Sequence, residues 1–341
     1  MKIGVIGASG YSGGELLRLL ASHPHFQVDY VAAGTQAGAS ITSVHPQLIS
    51  YAGRNFEATS TERMNDCDLI FTALPHGESA KLIAEIHPKV KIVDLGADFR
   101  LASEGSWLKY YGGAHAGTWV YGLPEIPGQR EKIKSATRIA NPGCYATSIA
   151  VAAAPALAGG LIDGSDIVVV AASGTTGAGR KASTNLLASE IMGSLVSYKF
   201  GGVHQHTPEI EETLTGISDS PVKISFTPIL ASMPRGILAT VTAKLKQPIT
   251  TAQAQDIYKT FYAADTFVSV LADSQLPKTS AVLGSNSIQL QVAVDEHTNR
   301  LVISAAIDNL GKGAASQAIQ NANLISGFEE GLGLSASGIG S

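Results

Sequence analysis

The chain opens with a strand that runs straight into a glycine loop and a helix, and few local patterns constrain a fold more tightly. Lys2 to Ile6 (KIGVI) is a short apolar run. Gly7-Ala8-Ser9-Gly10-Tyr11-Ser12-Gly13 follows, and Gly14 to Ser22 (GELLRLLAS) then reads as a helix. Phe26 to Ala32, Asp68 to Ala73 and Lys91 to Asp94 read as further strands, with Lys81 to Ile86 as a crossover helix. Parallel neighbours need crossover connections, so this alternation predicts a doubly wound parallel sheet. Glycines at the first strand–helix turn let the backbone approach a diphosphate, and the helix start offers N–H donors to the anion. The spacing is Gly7-x-x-Gly10-x-x-Gly13, not the commoner G-x-G-x-x-G. Its position favours a dinucleotide site on Gly7, Ser9, Gly10, Tyr11, Ser12 and Gly13 over a purely structural turn. After Val31 the chain runs Ala32-Ala33-Gly34-Thr35-Gln36, with no acid to take the ribose hydroxyls. NADP(H) is therefore the expected cofactor, with Thr35 at its 2′-phosphate. Asp29 lies inside the strand, too early to be the ribose acid.

The pattern changes after Cys144. Asp166 to Ala172, Val222 to Pro228, Gly236 to Lys246, Ile288 to Val294 and Arg300 to Ile307 are β-branched, with few helices among the later ones. They predict a second, α+β domain with a mixed sheet, beside the Rossmann-type α/β domain. Gly313 to Leu324 reads as a closing helix. The expected division is 1–145, completed by a C-terminal helix within 312–330, as the dinucleotide domain. Residues 146–311 form the catalytic, substrate and oligomerisation domain. The Gly/Ser-rich tail from Gly331 is expected to fray. The chain has 341 residues, enough for two cores. A net charge of −4 gives no sign of a nucleic-acid or anionic-membrane partner. The most apolar region, Ile149 to Ile162, is too short to span a membrane and holds Pro155 and a glycine pair. A strand beginning at Lys2 leaves no room for a signal peptide. Two cysteines cannot build a disulfide framework, so a reducing cytoplasm is expected.

Asn141-Pro142-Gly143-Cys144-Tyr145-Ala146-Thr147 places a thiol just before a helix expected from Ala146 to Leu157, which Pro155 should bend or end. A helix start presents unpaired N–H groups and partial positive charge, which favour the nucleophilic thiolate. A lone cysteine is more often a small buried hydrophobe. The turn, the helix start and a nearby histidine pair outweigh that reading for Cys144, and Cys67, at the entry to an apolar strand, keeps it. The pair lies in His204-Gln205-His206-Thr207-Pro208-Glu209. Histidine moves protons near neutrality, and no matching ligand set at zinc spacing accompanies it, so no metal is expected. His206 is expected to be the acid–base residue, on an elbow whose helix Thr207 caps, with His204 supporting the loop. Arg100, in Asp94-Leu95-Gly96-Ala97-Asp98-Phe99-Arg100, is read as a fork for an anionic substrate group, against an ion pair that ties its loop. Ser173 to Arg180 is a glycine-rich strand-end loop able to approach a ligand, and Arg235 adds an isolated arginine. Asn309-Leu310-Gly311-Lys312-Gly313 is expected to close over the cofactor.

Taken together, GASGYSGGELLRLL, DLGADFRL, NPGCYAT, ASGTTGAGR, HQHTPEIE, PRGI and DNLGKGAASQAIQNAN resemble the N-acetyl-γ-glutamyl-phosphate reductases of the longer bacterial type. The resemblance runs nearly the whole length. One departure is Ala146, where that family commonly has Pro. The resemblance implies a semialdehyde-dehydrogenase-like fold and an NADPH-dependent reductive dephosphorylation in arginine biosynthesis. Cys144 attacks the acyl phosphate, a thioester forms, hydride arrives, and N-acetyl-glutamate 5-semialdehyde is released. It also implies the acid–base role of His206, and a homodimer or homotetramer. The expected substrate residues are Arg100, Asn141, Ser173, Lys199, His204 and Glu209. Gly177 and Asn309 join the cofactor set. Two other readings remain open at this point. One is a sibling reductase for aspartyl or aminoadipyl phosphate. The other is a non-catalytic NADP-binding redox sensor, for which Cys67 is the one candidate resolving cysteine.

Overall fold

The computed structural model describes residues 1–340. The chain divides into two compact units. One comprises Met1–Pro124, Gly128–Pro142 and Ala314–Leu334; the other comprises Glu125–Pro127, Gly143–Gly313 and the residues from Ser335.

The first unit is built on six parallel strands: β1 (Lys2–Ile6), β2 (Gln27–Ala32), β3 (Leu69–Thr72), β4 (Lys91–Asp94), β5 (Val120–Tyr121) and β6 (Arg138–Ala140). Their order is β2-β1-β3-β4-β6-β5. A parallel sheet is covered on both faces, so its strands read as continuous apolar runs. Ile3, Val5 and Phe71 accordingly pack with Leu16, Leu17 and Ile319, while Ile6, Ile70 and Ile92 pack with Met64, Ile83 and Phe99. The first helix spans Tyr11–Leu20 and so starts three residues earlier than expected. Gly13 and Gly14 lie inside it and weaken the local helix signal by about 1 kcal/mol each. Packing requires Gly13 in particular, because a Cβ there would sit 2.6 Å from Ala8 Cα. The crossover helix is Ser79–Ile83, two to three residues before its expected place. The closing helix, Ser316–Ser326, is buried along nearly its whole length within this unit. A π-helical turn, Gly311–Ala315, precedes it.

The second unit holds a seven-stranded mixed sheet: β7 (Ile162–Ser173), β8 (Leu195–Ser197), β9 (Ile224–Ala231), β10 (Ile237–Leu245), β11 (Val268–Val270), β12 (Ile288–Asp295) and β13 (Arg300–Ile307). The order is β11-β12-β13-β10-β7-β9-β8, with parallel pairs only at β11/β12 and β7/β9. Strands β7 and β10 alternate buried and exposed residues, so the sheet has one core face and one open face. The Ala-rich helix Cys144–Ala158 lies in the core. Pro155 does not end it, since the helix runs three residues further, to Ala158. The carbonyl of Val151, which loses its N–H partner to Pro155, instead accepts the Tyr262 hydroxyl at 2.5 Å. Tyr258 does the same for Ala152 at 2.8 Å. Both tyrosines come from the helix region 251–262, which was not anticipated although Thr250 and Gln253 form a capping box at its start. The tail is also ordered rather than frayed. Asn286 N–H donates to Ser335 O and Ile339 N–H to Leu283 O, at 2.9 and 2.8 Å. Among the described residues no helix is long and apolar enough to cross a membrane.

Candidate active site

Cys144 is the first residue of its helix, two positions earlier than expected, and Gly143 is the extended N-cap with no side-chain cap. Thr147 returns both its N–H and its hydroxyl to the Gly143 carbonyl, at 2.8 and 3.1 Å. That fixes the first turn and leaves the thiol, which is half-buried, at the positive end of the helix. Gly313 lies behind it: a Cβ on Gly313 would fall 2.7 Å from Cys144 Cβ. Cys67 is buried, donates to Arg63 O at 3.5 Å, and burial pushes its thiol up to about 11. It behaves as the small hydrophobe expected of it.

His206 opens the helix His206–Thr215, so the helix begins two residues before its expected start. The imidazole lies directly on Gly143: a Cβ there would be 2.4 Å from His206 Nε2. Thr207 is not the cap. Its buried hydroxyl has no partner among the described residues, and Pro208 takes the third helical position, where its missing N–H would be unsatisfied anyway. His204 serves the helix start instead, since its Nδ1 accepts the His206 N–H at 3.1 Å. His204 is buried, edge-on to Tyr145 and Phe226 with ring centroids at 5.3 and 5.1 Å. Burial, helped by His206 and Lys199, lowers its pKa to about 2. It is thus buried and neutral near pH 7. Glu209, one turn beyond His206, is also buried. Its Oε1 accepts the Gly143 N–H at 2.7 Å, so this carboxylate binds the turn that carries the thiol.

Around these residues lie the strand-end loops. Ser173 is buried and its hydroxyl donates to Gly174 O at 3.2 Å. Gly174 packs on Pro234 and Arg235 so closely that a Cβ would meet the Pro234 carbonyl at 2.8 Å. Arg235 pairs with Asp308, Nη2 to Oδ2 at 2.7 Å. Asn309 joins two loops, accepting from Gly236 N–H at 2.8 Å and donating to Thr176 Oγ1 at 3.0 Å. Gly177, beside it, is exposed. Lys199, exposed overall, adopts a left-handed φ of 43°, its ammonium donates to Gln205 Oε1, and local desolvation lowers its pKa. Sequence reasoning missed the fully buried pair Lys312–Glu125, at 2.6 Å, between residues far apart in the chain. No local pattern signals such a pair.

In the first unit the glycine loop forms a cradle. Gly7 has φ +78°, and a Cβ on it would lie 2.3 Å from Ala73 O. Gly10 is an extended N-cap without a side-chain cap, so the start of Tyr11–Leu20 presents backbone donors. Ser9 and Ser12 are half-buried, and Tyr11 is exposed. A cavity of about 540 Å³ follows the end of β3, lined in part by Leu74, Pro75, Lys81 and Leu82. Thr35 is exposed beyond β2, while Asp29 pairs with Arg63 at 3.5 Å. These features fit a dinucleotide. Arg100 is buried, and its Nε and Nη2 donate to Asn141 O and Leu95 O, both at 2.8 Å. These two carbonyls hold the guanidinium against the ends of the strands. Asn141 is also fully buried, donating to Ala314 O at 3.1 Å and accepting from Asn321 at 2.9 Å. Both residues hold the strand ends in place.

Residues 2–136 match the family model of the semialdehyde dehydrogenase NAD-binding domain, and residues 144–309 match that of the semialdehyde dehydrogenase dimerisation domain. N-acetyl-gamma-glutamyl-phosphate reductase of Acidothermus cellulolyticus is 53% identical over 338 residues, covering 99% of this chain and 98% of its own. The protein of the same name from Corynebacterium glutamicum is 46% identical over 344 residues, covering 99% of each chain. Among solved structures, aspartate semialdehyde dehydrogenase II of Vibrio cholerae superposes with a TM-score of 0.70 at 18% identity, covering 95% of this chain and 98% of its own. Aspartate semialdehyde dehydrogenase of Candida albicans, solved with NADP, gives 0.69 at 13% identity, covering 96% and 99%.

Proposed function

We propose, since the chain belongs to the semialdehyde dehydrogenase family, that it reduces N-acetyl-glutamyl 5-phosphate to N-acetyl-glutamate 5-semialdehyde with NADPH, releasing phosphate, as a step of arginine biosynthesis. One observation carries the chemistry: the His206 imidazole lies on Gly143, next to a thiol at an uncapped helix start. His206 takes the thiol proton, and the helix start favours the resulting thiolate. The thiolate attacks the acyl carbon, the carbon–oxygen bond to phosphate breaks, and a thioester remains on Cys144. NADPH, when bound, supplies the hydride that reduces this thioester carbonyl. The protonated His206 holds the oxyanion of the thiohemiacetal, which collapses to the aldehyde and returns the thiolate. Gly7, Ser9, Gly10, Tyr11, Ser12, Gly13 and Thr35 hold the cofactor in this reading, with Gly177 and Asn309 from the second unit. Lys199 is the residue assigned to an anionic group of the substrate. Its left-handed backbone is the kind of strain, about 1–3 kcal/mol, that clusters at ligand sites. Ser173 lines the same region, and His204, Glu209, Arg100 and Asn141 act as supports.

The active species is a homodimer or homotetramer in this reading. Val168, Val170 and Leu238 stand 37–42% exposed on the open face of the second unit's sheet, and a second copy is the partner that would cover them. A free catalytic thiol also suits the reducing cytoplasm. The test is phosphate-dependent reduction of NADP with N-acetyl-glutamate, aspartate and aminoadipate semialdehydes in parallel. N-acetyl-glutamate semialdehyde should be the efficient substrate. Faster turnover of either other aldehyde refutes the assignment of substrate, and turnover of none refutes the reaction.

A further inference from the structure

His206 and Glu209 are three residues apart on one helix and so share a face. That face meets the turn before the thiol at two points. The imidazole lies on the Cα side of Gly143, and the carboxylate accepts the N–H of the same residue at 2.7 Å. One contact alone would leave the helix free to rock about it. Two contacts on one residue fix both distance and rotation. The amide–carboxylate bond is of the charge-assisted kind, and Glu209 is 1% exposed, so water does not compete for it. Gly143 is also the N-cap of the thiol's helix. A displacement of Gly143 therefore moves Cys144 directly.

We propose that Glu209 is the positioning residue that registers the Cys144 helix against the His206 helix, setting the alignment of nucleophile and proton acceptor through the Gly143 N–H. It does not contact substrate. This rests on the reading of Cys144 and His206 as the reacting pair. The ionisable groups on the surrounding elements are His204 and Lys199 on the preceding loop, Tyr145 beside the thiol, and Tyr198 hydrogen-bonded to Tyr145 at 3.1 Å. Burial raises the pKa of both tyrosines, and His204 is held neutral, so these three keep their ordinary neutral forms around neutrality.

The test compares Glu209→Gln and Glu209→Asp in the full-length enzyme. Gln keeps an acceptor oxygen at the same reach but loses the charge. Asp keeps the charge but is one methylene too short to reach Gly143. Two readouts are used: the pH profile of Cys144 alkylation by iodoacetamide, read by peptide mass, and the steady-state kcat and KM. Positioning predicts that Gln stays within about fivefold of the parent in kcat. It predicts that Asp loses about thirtyfold or more, since misplacement by an ångström costs on this order. The Asp variant should also show a displaced alkylation profile, while the acyl-phosphate KM changes less than about threefold in both. If Gln is as damaged as Asp, the charge matters and not the hydrogen bond, and the proposal is overturned. A raised KM with an unchanged alkylation profile makes Glu209 a substrate residue and overturns it equally. Alkylation needs no substrate, so it reads the turn even if the assigned reaction is wrong. Retained turnover in Cys144→Ser would show that separate failure.

Discussion

Gly143→Ala is the most direct test of how closely the histidine and the thiol's turn are packed. Gly143 has φ −71° and ψ 150°, a conformation that alanine adopts without strain, so the backbone has no objection. Sterics do. The new methyl would stand 2.4 Å from His206 Nε2, 2.6 Å from Cε1 and 2.8 Å from Cδ2. Ordinary heavy-atom contact is about 3.5 Å, so the ring must retreat by about 1 Å, or the turn must open by as much. Overpacking of this size costs about 1–3 kcal/mol in stability. The kinetic cost is larger in kind, because proton transfer works only within hydrogen-bond reach and a 1 Å misplacement costs about 10²-fold. That factor equals about 2.7 kcal/mol at the transition state. The expected outcome is a kcat about 10²-fold lower, with NADPH affinity unchanged because Gly143 is not among the residues assigned to the cofactor. Steady-state kinetics and fluorescence titration of NADPH measure the two terms. A variant within about threefold of the parent in kcat would refute the packing argument, since a displaced histidine cannot leave the rate intact.

Thr35→Asp places an acid just beyond β2 and should shift preference from NADPH toward NADH by repelling the 2′-phosphate; equal kcat/KM for the two cofactors in the parent enzyme would sink the NADP assignment. His206→Asn should lower kcat by about 10²-fold or more and remove the pH limb near neutrality, whereas His204→Asn should cost much less; reversed effects would exchange the two roles. His204 also makes stability pH-dependent. Its folded pKa of about 2 lies far below the ordinary 6.5, so the unfolded chain takes up the proton first. Its contribution is complete above about 6.5 and falls as the pH drops toward 2, with about 2 kcal/mol already lost at pH 5. Denaturant unfolding at pH 7.5 and 5 should show that loss, and His204→Gln should diminish it; equal slopes in the two proteins would remove His204 as the cause.

What the sequence carried best were requirements of the backbone. The glycine loop is legible because Gly7 has a left-handed backbone and Gly13 leaves no room for a Cβ, and the Asn141-Pro142-Gly143-Cys144 turn because Gly143 leaves none either. Helix starts lie two to three residues before their expected places where the first turn holds glycine or histidine, as at Tyr11 and His206, because weak formers there mask the period. The tail looked frayed because Gly and Ser carry no apolar signal, although backbone bonds at Asn286 and Leu283 hold it. Roles were harder than places. Arg100, Asn141 and Glu209 stand in motifs rich in chemistry, yet each binds backbone: the carbonyls of Asn141 and Leu95, the carbonyl of Ala314, and the amide of Gly143. A motif gives residue type and spacing. It does not say whether a polar atom turns toward a ligand or back toward the chain.

That distinction decides where the thiolate finds its support. Two strong cations lie close in sequence to the wall behind Cys144 or to its loops, Lys312 beside Gly313 and Arg235 beside Gly236. Each is already matched by a buried carboxylate, Glu125 at 2.6 Å and Asp308 at 2.7 Å. Buried pairs of this kind supply geometry more than net field, and breaking one by removing a single partner costs about 3–5 kcal/mol because the other charge is stranded. The start of Cys144–Ala158 adds the partial positive charge of its N–H groups, worth up to about 2 kcal/mol, or roughly thirtyfold in favour of an anion there. What the helix start does not supply must come from His206, which accepts the thiol's proton and so converts a modest local preference into an ion pair. Cys144 reactivity should therefore follow the titration of His206, and neutralising both Lys312 and Glu125 together should disturb the fold of the π-helical turn more than the ionisation of the thiol.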